Sequence, residues 1–171
     1  MTDADGGSGA DADAETLADL RTVADYQFGA GAGAALFPPD EREAPTIHRS
    51  TGGRPRQLVA ADGRLVSYGT DGRFTLGLAG GRRLVDALDF PAYRVVVGDE
   101  SEPFVRDGKN AFAKFVRAVD PDVRPGDEVA VVRDDDALLA VGRAELSADA
   151  MADFETGMAV QVRDGAGDSD R

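Results

Sequence analysis

The stretch DGKNAFAKFV, Asp107 to Val116, decides how this chain is read, together with VRPGDEV (Val123 to Val129) and LLAVGRAEL (Leu138 to Leu146) that follow it. Glycine at 108 lets backbone N–H groups approach a ligand closely, Lys109 brings a charge, and the Asn110 amide can bond a phosphate or a base edge. The competing reading is a plain turn between a helix and a strand. If Asn110 to Val116 is a strand, alternation puts Phe112, Lys114 and Val116 on one face and Phe115 and Arg117 on the other. One phenylalanine is then core, and the other is free to stack on a base.

Around this stretch the chain is punctuated by turns. The first dozen residues, rich in Asp, Gly, Ala and Ser, lack the apolar surface to offset ordering entropy, and residues 1–14 read as a disordered acidic tail. From Glu15, the spacing of Leu17, Leu20, Ala24 and Phe28 predicts an amphipathic helix stopped by Gly29. Short β-like runs follow at 46–50, 56–60, 64–68 and 74–78, with Asp62-Gly63 and Asp71-Gly72 as hairpin signals. A helix over 81–88 closes this first unit, residues 15–91. The second, residues 92–164, opens on the buried-type strand Tyr93 to Val97. It continues with a helical turn at 102–106, strands at 110–116, 128–133, 138–146 and 158–163, and a helix capped by Ser147. Residues 165–171 read as a second disordered tail. Many short strands joined by Gly and Asp turns predict an α+β protein whose second unit is a mixed β-pseudobarrel with short helices.

Composition narrows the function. The 171 residues contain no cysteine, which excludes disulfides, thiolate nucleophiles and cysteine-held metals. No apolar run approaches the roughly 20 residues needed to span a bilayer, and the acidic N-terminus is unlike a signal peptide, so a soluble cytoplasmic protein without membrane contact is expected. The net charge is −13, and only Lys109 and Lys114 are lysines. Short carboxylates in excess, with arginine in place of lysine, suggest a surface adapted to molar salt; an acidic protein with disordered tails is the alternative. Net charge alone argues against nucleic acid, but seven arginines (49, 54, 56, 64, 73, 82 and 83) against two acids (62 and 71) between His48 and Arg83 allow a basic patch.

In order and spacing the second unit resembles the PUA domain, an RNA-docking pseudobarrel. The resemblance is carried by Val95–Val97, Phe104, Gly108, Lys109, Asn110, Phe112 and Val116, Pro125–Val129, Ala140–Gly142, and Gly157, Ala159 and Val160. The first unit, through Ala24–Gly29, Leu36-Phe37-Pro38, Thr51-Gly52, Arg56-Gln57 and Asp71–Leu76, resembles the segment preceding the PUA domain in archaeal tRNA-guanine transglycosylases and archaeosine synthases. The catalytic portion of those enzymes, a TIM-barrel-type domain with an aspartate nucleophile and a cysteine-bound zinc, has no counterpart in these residues.

The resemblance implies a non-catalytic RNA-binding protein, with structured RNA and specifically tRNA as partner, acting beside a transglycosylase or archaeosine synthase. It implies no cofactor, no metal and no DNA. Its RNA-facing candidates are Gly108, Lys109, Asn110, Phe112, Lys114, Arg117 and Arg163. A protein-interaction barrel without RNA affinity, and an enzyme with its own site, are the alternatives. Against the second, FGAGAGAALF lacks dinucleotide-loop spacing, His48 is the sole histidine, and Asp134 to Asp136 read as a soluble hairpin turn.

Overall fold

The computed structural model describes residues 2–167, with side chains from Ala12 onward; the part of the expected C-terminal tail at 168–171 lies outside the described residues. Helix α1 runs Thr2–Phe28 and therefore starts well ahead of Glu15. The segment expected to be a disordered tail is helical from Thr2, with Gly6, Gly7 and Gly9 inside it despite their low helix propensity. Ala12 to Glu15 are exposed, and Asp13 is held by an ion pair to Arg49 at 2.9 Å. From Leu17 on, the predicted stripe of Leu17, Leu20, Ala24 and Phe28 is buried, and Gly29 ends the helix at φ +107°.

A short helix that the sequence reading lacked, α2 (Ala32–Leu36), turns back on α1. A Cβ at Gly33 would lie 2.2 Å from the Arg21 carbonyl oxygen, so glycine is required for this crossing. The Asp25 carboxylate accepts the Gly33 N–H at 2.8 Å. The glycines of FGAGAGAALF thus serve a helix cap and a close helix pair.

Strands β1 (Thr46–Arg49), β2 (Pro55–Ala60), β3 (Gly63–Tyr68) and β4 (Phe74–Leu76) form an antiparallel meander, with Gly63 and Gly72 at positive φ in the two predicted Asp-Gly turns. Helix α3 (Leu78–Ala87) covers it. The second sheet contains β5 (Arg94–Val97), β6 (Ala111–Phe112), β7 (Val116–Val119), β8 (Glu128–Val132), β9 (Leu138–Ala144) and β10 (Met158–Gly165), in the order β6-β10-β9-β8-β5-β7. Among the described residues only β5 and β8 pair in parallel. It curls into a nearly closed barrel, the expected α+β pseudobarrel, with α4 (Glu102–Arg106) and α5 (Ala148–Asp153) at its ends. Ser147 caps α5, its hydroxyl accepting the Ala150 N–H at 3.2 Å.

Two expectations are corrected here. Residues 110–116 are not one strand, because a 3-10 turn at Ala113–Phe115 separates β6 from β7. The chain also stays ordered past 164: β10 reaches Gly165, Ala166 is buried with its N–H bonded to Leu139, and Gly167 bonds Arg106.

The two units share a core. β5 and β8 are buried along their whole length because their two faces serve different clusters. Val95, Val97, Val129 and Val131 fill the barrel, whereas Val96, Ala130, Val132, Leu138 and Val141 pack with Leu17, Phe28, Leu65 and Leu84 of the first unit. Burying each such Val, Leu or Phe contributes about 1.5–3 kcal/mol.

Polar contacts reinforce this joint. Glu128, 4% exposed, accepts from Leu76 N at 2.7 Å and from both Arg163 terminal nitrogens, at 2.6 and 2.8 Å. Buried Arg94 bonds both Asp136 carboxylate oxygens, and its guanidinium also caps the C-terminal end of α3 by donating to the carbonyls of Val85 and of Leu88, the residue after the helix. The cation that meets the Asp134–Asp136 turn is therefore an arginine of the same chain.

Candidate nucleic-acid interface

The interface is built from the C-terminal end of α4 onward. Gly108, at φ +92°, closes α4 in a Schellman arrangement: its N–H bonds the Val105 carbonyl at 3.0 Å, and the Lys109 N–H bonds Phe104 at 2.9 Å. Both amides are consumed inside the fold, which corrects the expectation that this loop aims them at a phosphate. Asn110 is likewise turned inward, its Oδ1 accepting the Val162 N–H at 3.0 Å to tie β10 in place. The Lys109 side chain remains exposed.

The 3-10 turn then changes which side chains face together. In a 3-10 turn residues i and i+3 eclipse, so Phe112 and Phe115 point the same way instead of dividing between surface and core. With Lys114, Glu155, Thr156 and Gly157 they line a hollow of about 370 Å³. Phe112 is 44% exposed, and the Lys114 Nζ sits 4.9 Å from the Phe115 ring centroid, in cation–π range. Chemically the hollow offers aromatic faces for a base, an ammonium for a phosphate, and the Glu155 carboxylate to accept from an exocyclic amine. Phe104, 61% exposed, and the Glu155–Gly157 loop were not among the sequence candidates. Phe104 lies on α4 and outside the lining of the hollow, whereas Glu155–Gly157 reach it through the loop that leads into β10.

The other candidates sit elsewhere. Arg117 is exposed and paired with Glu100 at 2.8 Å. Arg163 is committed to Glu128 and to the Leu76 carbonyl, at 3.0 Å, so it is a strut of the inter-unit joint. The arginine-rich hairpins do not form one free basic patch. Arg49 is paired with Asp13, Arg64 with Asp164, Arg83 with Asp62, and Arg54 bonds the carbonyls of Tyr68 and Gly69 while lying 5.1 Å from the Tyr68 ring centroid. The Arg133 guanidinium bonds the Asp135 carboxylate and holds it down to about 2, well below its usual range. Among the described residues, no three His, Cys, Asp or Glu side chains gather as a metal would require, and no helix is long and apolar enough to cross a membrane.

An exposed aromatic hollow on the rim of a nearly closed barrel, fused through a shared core to a small sheet, defines the class. Residues 93–166 match the PUA domain, and residues 18–91 match the patch-forming domain C2 of tRNA-guanine transglycosylase. The chain thus carries a C2 domain joined to a PUA domain.

It is 47% identical over 148 residues to tRNA-guanine(15) transglycosylase of Methanothermobacter thermautotrophicus, covering 85% of this chain and 22% of that protein. It is 45% identical over 147 residues to the tRNA-guanine(15) transglycosylase of Pyrococcus furiosus, covering 85% and 24%. The chain therefore spans about a quarter of the length of these relatives, in their C-terminal region. A hypothetical protein of Pyrococcus horikoshii shares the fold, with a TM-score of 0.70 at 20% identity over 91% of this chain and 93% of that one.

Proposed function

We propose that this protein is a non-catalytic binder of structured RNA, tRNA in the first place, and that it holds its RNA for an enzyme of tRNA modification such as a transglycosylase or archaeosine synthase. The observation that carries the reading is the hollow of Phe112, Lys114 and Phe115, which puts stacking surface beside an ammonium that forms no ion pair among the described residues, on an otherwise acidic molecule. The relatives named as tRNA-guanine(15) transglycosylases support tRNA as the ligand class. Lys109 extends the cationic rim, whereas Gly108 and Asn110 shape it from within.

The acid-rich surface supports a working environment of molar salt, where the Debye length falls to about 3 Å. Affinity then rests on stacking and short contacts in place of long-range attraction. The test is anisotropy in high KCl with intact tRNA, tRNA lacking its 3′ end and duplex DNA. Intact tRNA is expected to bind best, and Phe112→Ala should weaken it by about 1–3 kcal/mol, the usual worth of one stacked base. Equal binding of the three nucleic acids would overturn the reading.

A further inference from the structure

We infer a second RNA contact, resting on the function just proposed: the cleft between the C2 and PUA domains receives a phosphodiester of the same RNA whose base enters the Phe112 hollow. The cleft, about 460 Å³, lies between the β3–β4 turn and the barrel and is lined by Arg73, Arg143 and Arg163 among others. Arg143 and Arg163 also line an adjoining hollow with Gln161 and Val162, so the two make one groove along β10.

The three arginines are not equivalent. Arg163 is spent on buried Glu128, which it neutralises; the other carboxylate of the lining, Asp71, accepts the Arg73 backbone N–H at 3.1 Å. Arg73 and Arg143 are half exposed, at 50% and 51%. Arg73 has only a long pair, 3.6 Å, to Asp127. Arg143, held by Glu145 at 2.9 Å and Gln161 at 3.0 Å, is fixed with its guanidinium toward the groove. Two partly solvated guanidinium groups lining one cleft suit a phosphate, which Arg binds through paired donors.

β10 relates the two places. Met158 pairs with Phe112, and Gln161, three residues further on and about 10 Å away at the usual strand rise, pairs with Arg143. A polynucleotide strand can set a base in the hollow and a backbone phosphate in the cleft at once, so the ligand class proposed is a polymer backbone.

The test compares wild-type protein, R73A/R143A and R73K/R143K, each titrated with an unmodified tRNA transcript over a range of KCl. The double alanine variant should lose about tenfold in affinity, and its plot of log K against log salt should be shallower by about one, for the one phosphate the cleft holds. The lysine variant, which keeps the charges, should retain the wild-type slope. Alanine and wild-type proteins with the same slope and affinity, while Phe112→Ala still loses binding, would overturn the cleft and leave the RNA-binding reading intact. Failure of the wild-type protein to bind would overturn both. Thermal melts of all three proteins exclude a folding defect as the cause of any loss.

Discussion

Removing Arg163 should loosen the joint between the two domains, and the size of the effect follows from what it touches. Glu128 is buried and has three donors: the Leu76 N–H and the two terminal nitrogens of Arg163. Arg163→Ala leaves that carboxylate with one donor. Breaking a buried pair from one side costs about 3–5 kcal/mol, because the remaining charge is uncompensated. The Arg163 side chain is 31% exposed, so water screens part of the interaction and about 3 kcal/mol is the better figure. For a chain of this size 1 kcal/mol corresponds to about 2–4 °C, so Tm should fall by about 6–12 °C. Glu128→Ala should cost a similar amount, since it strands the Leu76 N–H as well. The double variant should lose much less than the sum, with a coupling of about 2 kcal/mol in a double-mutant cycle read by thermal or urea unfolding. A Tm unchanged by Arg163→Ala, combined with weaker tRNA binding, would refute the argument and place Arg163 in the RNA interface.

Two further outcomes concern stability. Asn110→Ala should destabilise by about 1–3 kcal/mol, because the Val162 N–H loses its acceptor, and Asn110→Asp should recover most of that in a urea melt. Burial raises the Tyr93 phenol above its ordinary 10.0, with Asp127 and Asp120 adding to the shift, and its hydroxyl donates to the Gln27 carbonyl. The stability this contributes is fully present below pH 10.0 and is lost as pH rises through the raised value, so urea melts from about pH 9 to pH 11 should fall more steeply for wild type than for Tyr93→Phe.

Much of the fold was legible because its signals are local. The period of Leu17, Leu20, Ala24 and Phe28, the two Asp-Gly turns and the Ser147 cap each act within a few residues, and each appears where the pattern puts it. The errors arose where distant partners decide. Alternation over 110–116 is overridden by the 3-10 turn that lets Val116 join β5 on one side and Phe112 join β10 on the other. Gly108 closes α4 at positive φ, and no atom lies within 4 Å of where its Cβ would be, so its glycine answers to backbone conformation and not to a close approach. Arg163 and Asn110 look identical in sequence to surface binders; only Glu128, 35 positions away, and Val162, 52 positions away, reveal them as internal ties.

The same ion pairing explains how a chain of net charge −13 can present a cationic site. Its arginines are largely occupied within the fold, by carboxylates at Arg49, Arg64, Arg83, Arg94, Arg117, Arg133, Arg143 and Arg163, so their number along the sequence overstates the charge offered to a ligand. Lys109 and Lys114 stand outside the ion pairs formed among the described residues, and both flank Phe112. A compact ammonium beside an open aromatic face retains its effect at contact distance when salt has screened the acidic remainder beyond about 3 Å. High salt therefore weakens the repulsion between the acidic surface and RNA more than it weakens stacking at Phe112, and the net charge ceases to be an argument against binding.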